Sequence, residues 1–143
     1  MEVMFDRVAG LDVGKESVTV CLRTPGPKGR RHAETRTFKT TTGSLHLMRD
    51  WLVEAGVSIA AMESTSAYWK PPFYCLEEQM TVWLLNAAHM KAVPGRKSDV
   101  RDAEWIAQLL EHGLLRPSFV PPPEIRRLRM LTRYRVQLMG DRA

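Results

Sequence analysis

Four acids stand out by the company they keep. Asp12 interrupts the apolar run Val8-Ala9-Gly10-Leu11-Asp12-Val13, Glu63 ends Ile59-Ala60-Ala61-Met62, and Asp99 and Asp102 open a helical pattern. A carboxylate inside an apolar strand is costly unless it is paired or holds a cation. Plainer readings exist for each acid alone. Asp12 can cap the turn towards Gly14, Glu63 can be a solvated strand end, and Asp99 can offset the positive end of a helix dipole. Asp102 fits that last reading less well, because its spacing to Ile106 and Leu109 puts it on the inward face. Together the four carboxylates make a set of hard oxygen ligands suited to Mg²⁺ or Mn²⁺. A pair of such ions can activate an attacking oxygen and neutralise a leaving one.

The elements that must position these acids follow from periodicity. Residues 7–13 are a short apolar run, and 17–22 alternate, with Val18, Val20 and Leu22 on one face. Gly14 and Lys15 turn the first strand onto the second. Pro25-Gly26-Pro27-Lys28-Gly29 makes another turn, and a polar edge strand spans 32–40. The period then becomes helical over 44–55, with Gly56 as a stop. Residues 57–62 form a buried strand that delivers Glu63 at its carboxyl end, where α/β sheets present functional groups. Pro71 and Pro72 start a helix over 71–79, 81–85 is a further strand, and 87–93 is a short helix or turn. Ser98 caps a helix over 98–112 closed by Gly113. Residues 117–123 are a proline-rich connector, and a last helix runs over 124–143. This order predicts an α/β, RNase H-like mixed five-stranded sheet flanked by helices.

Composition sets the outer limits. With 143 residues, 44% hydrophobic and 26% charged, the chain is long enough for one ordinary globular core. Its longest apolar runs are too short to span a bilayer, and the first residues lack the layout of a signal peptide, so a cytoplasmic protein without a membrane partner is expected. Cys21 and Cys75 read as buried free thiols, and nothing has the spacing of a zinc site. The net charge is +5, and Arg and Lys crowd into 28–31, 91–101 and 126–135. A basic surface around a small acidic centre suits an enzyme that cuts phosphodiesters with metal.

Three motifs then carry a resemblance. Gly10-Leu11-Asp12-Val13-Gly14-Lys15, Met62-Glu63-Ser64-Thr65 followed by Tyr68-Trp69-Lys70-Pro71, and Lys97-Ser98-Asp99-Val100-Arg101-Asp102-Ala103 resemble the DEDD transposases. These are the recombinases of circularising bacterial insertion sequences, related to the pilin-gene DNA invertases. The resemblance covers about residues 8–138. It implies a fold like the junction resolvase RuvC over 1–116, with Asp12, Glu63, Asp99 and Asp102 as catalytic and metal-binding acids. It implies a coiled-coil helix starting in 124–143, and a homo-oligomer for the full-length protein. It also implies partnership with DNA, as element ends and target, and with a structured guide RNA, in a bacterial, nucleoid-associated setting. There are departures: Thr65-Ser66 stands where the family usually has Thr-Gly, and Asn86-Ala87 where Asn-Pro is common. Family proteins continue into a domain bearing a serine thought to attack DNA. That domain is expected to be missing from this chain, and Ser64 and Ser66 have no apparent activating base.

The basic residues have two readings each. Lys15, three residues after Asp12, can contact a phosphate or simply decorate a turn. Lys91, Arg96, Lys97 and Arg101 would flank the acids and guide a backbone, or form a solvated charge run. Arg126, Arg129 and Arg133 would offer one side of the last helix to RNA or DNA. Trp51, Trp83 and Trp105 read as core, and packing is favoured over base stacking for Tyr68 and Trp69. A stand-alone Holliday-junction resolvase-like endonuclease is the nearest rival, and a catalytically idle nucleic-acid-binding module is another. An actin-like ATPase would need a second phosphate loop that the sequence lacks.

Overall fold

An apolar run, an alternating segment and a polar edge decide the first third of the chain. In the computed structural model, which describes residues 3–64, 67–85, 102–118 and 120, β1 (Val8–Val13), β2 (Ser17–Pro25) and β3 (Arg31–Lys39) form an antiparallel meander. Helix α1 (Thr42–Glu54) then crosses to β4 (Ile59–Ser64), which lies parallel to β1 on its other side. Helix α2 (Lys70–Leu76) leads to β5 (Thr81–Leu85), parallel to β4. Helix α3 (Asp102–Glu111) precedes β6 (Pro117–Ser118).

The sheet order is β3-β2-β1-β4-β5-β6. Among the described residues it has six strands rather than the expected five, because Pro117 and Ser118 pair antiparallel with Leu85 and Leu84. A two-residue edge strand has no period to read, and an edge is where proline is tolerated. The sheet therefore takes in the first two residues of the segment expected as a connector.

Smaller differences have local causes. Helix α1 begins two residues before position 44, since the Thr41 hydroxyl accepts from the Ser44 amide at 3.3 Å and caps the helix. Helix α2 ends at Leu76, short of the expected 79, and gives way to a turn. Gly56 and Gly113 both hold positive φ, 76° and 70°, as helix stops require. Cys21 is buried, but Cys75 is only half-buried, and both are free thiols.

Each face of the sheet has its own core. One face joins Leu11, Val20, Met62 and their neighbours to α1 and α2 through Met48, Leu52, Phe73 and Leu76. The other joins Val8, Cys21, Ile59 and Ala61 to Ala103, Ile106, Ala107 and Leu110 of α3. The tryptophans sit at the margins of these cores: Trp51 flanks the first, and Trp83 and Trp105 flank the second. The expected elements over 87–93 and 124–143, and the start of the helix at Ser98, lie outside the described residues. No described helix is long and apolar enough to cross a membrane.

Candidate metal centre

Asp12 is the penultimate residue of β1, and its register partner on the parallel strand β4 is Glu63. Partners in register point to the same side of a sheet, with strands about 4.8 Å apart. Gly10 and Ala61, two residues earlier on each strand, identify that side. A Cβ on Gly10 would stand 2.4 Å from the Ala103 carbonyl oxygen and 2.5 Å from the Ala107 amide nitrogen. Ala61 packs into the core shared with α3. Asp12 and Glu63 therefore lie side by side on the α3 face, at the carboxyl ends of two central strands. Both are half-buried.

Helix α3 runs back along β1. Ala103 lies over Gly10, while the Glu111 carbonyl accepts from the amides of Met4 at 2.8 Å and Phe5 at 3.2 Å, just ahead of β1. Asp102, at the described start of α3, thus comes to the same end and face of the sheet as Asp12 and Glu63. It is half-buried, one helical turn from the fully buried Ile106. Only glycine at position 10 permits this close approach. The sequence displayed Gly10 within a motif, but the contact that requires it comes from packing.

Asp99 lies outside the described residues, as do Lys91, Arg96, Lys97 and Arg101 and the helix arginines Arg126, Arg129 and Arg133. Among the described residues, no group of three or more His, Cys, Asp or Glu is gathered as a metal site. What the described residues supply is an adjacent pair of carboxylates, a donor set that fits Mg²⁺. That ion commonly takes one or two carboxylates and completes its shell with water and substrate phosphate. Lys15 is exposed in the β1–β2 turn, and its carbonyl accepts from the Thr40 hydroxyl at 2.9 Å. Trp69 packs edge-on to Phe73, with ring centroids 5.4 Å apart, whereas Tyr68 is exposed.

A fifth acid escaped the sequence reading. Glu111, at the far end of α3, is 1% exposed and receives the Nε–H groups of Arg23 at 2.7 Å and Arg31 at 2.9 Å. Burial pushes its carboxyl up, but the bonds and charges of Arg23 and Arg31 outweigh this and hold it below the ordinary glutamate value. An acid in the last helical turn opposes the macrodipole, and that was the available signal that a counter-charge waits there.

The fold and the sequence each have relatives. The structure is similar to Thermus thermophilus RuvC in complex with a Holliday junction substrate, with a TM-score of 0.55 at 14% identity, covering 79% of this chain and 99% of that one. A second Thermus thermophilus RuvC structure gives 0.54 at 17% identity, with 78% and 99% covered. These likenesses establish a RuvC-like member of the RNase H-like folds, as expected. No curated protein matches the chain. A family model of the IS110-type DEDD transposases, described as transposase, matches residues 9–143, and the chain belongs to that family.

Proposed function

We propose that this chain is a metal-dependent DNA endonuclease domain of the resolvase type, serving a DEDD transposase. The observation that carries the reading is the register pairing of Asp12 with Glu63 on the face that receives the start of α3. Two like-charged carboxylates held on neighbouring strands repel one another, and a divalent cation relieves that repulsion. Asp12, Glu63, Asp99 and Asp102 would hold the ion. Bound Mg²⁺ supplies Lewis-acid stabilisation of a phosphate and a more acidic water. The chain's own part is to fix the carboxylates on rigid strands and to exclude solvent from one side with α3. Lys15 would bind a neighbouring phosphate, as would Lys91, Arg96, Lys97 and Arg101.

The RuvC likeness favours this resolvase-like chemistry over the finer reading. That reading is cutting and rejoining of insertion-sequence DNA under a structured guide RNA, with Arg126, Arg129 and Arg133 on the RNA. It rests on family membership and the motif resemblance, as do the kinship with pilin-gene invertases and assembly into a homo-oligomer. The solved relative was captured with a Holliday junction, so branched DNA is the substrate class to try first. A labelled four-way junction should be cut in Mg²⁺ and left intact in EDTA, with Asp12→Asn slowing cleavage by at least about a hundredfold. Equal cutting by Asp12→Asn, or in EDTA, would overturn the reading. A junction bound but uncut in Mg²⁺ would favour the idle binding module.

A further inference from the structure

One row of residues crosses four neighbouring strands at the site end of the sheet. Glu63 pairs in register with Asp12, Asp12 with Thr19, and Thr19 with Thr37. Register partners share a face, and the 3.3 Å between the Thr19 and Thr37 hydroxyl oxygens agrees with this. Cys21, two residues beyond Thr19, packs into the core beneath α3. The row therefore lies wholly on the α3 face. It passes from carboxylates to hydroxyls over roughly 14 Å, the reach of a few nucleotides.

The next row on this face pairs Ser17 with Lys39. Lys39 and Thr37 are exposed, and among the described residues Lys39 has no ion-pair partner. Packing does not account for these side chains, since Val18, Val20 and Phe38 serve the opposite face. Neither β2 nor β3 places an acid on the α3 face, because Glu34, the acid of β3, is paired with Leu22 and faces the other side. Of their cations on that face, Arg23 and Arg31 are held by Glu111, which leaves Lys39. Two hydroxyls that bond to each other use only one proton between them, so one O–H remains to donate outward.

We infer that this shelf seats the backbone of the DNA strand being cut, with Thr19, Thr37 and Lys39 donating to phosphates that lead away from the Asp12–Glu63 pair. The inference rests on the endonuclease reading above. It adds a binding surface on the β2–β3 hairpin that the motifs did not indicate. Lys15, tied to the end of β3 through Thr40, borders the same shelf. Hydroxyls and a lysine suit phosphate oxygens without regard to base sequence.

The test is binding of the labelled junction in Ca²⁺, followed by anisotropy at several salt concentrations. Thr37→Val with Thr19→Val should weaken binding about three- to tenfold, while Thr37→Ser should bind like wild type. Lys39→Ala should lower the log–log salt slope by about one. Mg²⁺-dependent stabilisation should be unchanged in all of them, which separates the shelf from the metal site. Wild-type affinity and slope in the valine and alanine variants would overturn the inference and leave the endonuclease reading standing. Failure of the wild-type chain to bind the junction would overturn both.

Discussion

The two ends of α3 place carboxylates on one face of one sheet and treat them in opposite ways. At the far end Glu111 is buried, and two arginines from β2 and β3 hold it. At the near end Asp12 and Glu63 are half-buried, and each has the other as its register neighbour. The first arrangement satisfies a carboxylate with protein cations and ties the helix, the hairpin and the N-terminal segment together. The second brings like charges together where solvent and ions still reach. A structural acid and a candidate metal ligand thus differ in burial and in the residue set beside them more than in residue type.

The contrast can be broken first at its structural end. Removing Glu111 leaves Arg23 and Arg31 facing a buried gap, so Glu111→Ala should lose about 3–5 kcal/mol in denaturant unfolding. The same end sets an acid limit. Because the native carboxyl lies below the ordinary value of 4.5, its stabilisation is complete above that value and is lost as pH falls through the native one. Stability of the wild type should therefore fall more steeply than that of Glu111→Gln from about pH 5 downwards. Parallel curves would deny Glu111 this role.

The helix contact between the two ends offers a smaller effect. A methyl at position 10 would strike backbone atoms of α3, and backbone cannot swing aside as a side-chain tip can. Gly10→Ala should cost about 1–3 kcal/mol through overpacking. It should also weaken Mg²⁺-dependent cleavage more than Glu111→Gln does, because it shifts Asp102 relative to Asp12 and Glu63. Unfolding and cleavage measured on both variants would check this, and equal cleavage losses would show that α3 sets no geometry at the site.

Legibility followed the range of the interactions. Asp12 was readable as an acid in an apolar strand, and Glu63 as the end of another, because both signals are local. That the strand ending in Glu63 lies beside the strand of Asp12 followed from the expected fold, and the pairing of β1 with β4 bears it out; the residue-for-residue register of the two acids was not readable. Helix α3 was readable from its apolar spacing, but its contact with Gly10 joins residues some ninety positions apart. Nothing local marks Glu111 as buried, because its partners Arg23 and Arg31 are eighty or more positions away in sequence. Nothing in the sequence around Thr19 and Thr37 sets them apart, and only strand pairing puts them in line with Asp12.

The central claim is that the acids at the near end of α3 hold a divalent cation, whatever DNA the chain cuts. Thermal melts with and without Mg²⁺ or Mn²⁺ test it without any substrate. The wild type should melt higher in the metal, since a ligand that binds only the folded chain adds its binding free energy. Asp12→Asn should lose that metal-dependent rise, whereas Lys39→Ala should keep it. An equal rise in the wild type and Asp12→Asn, or no rise in the wild type at saturating metal, would contradict the account.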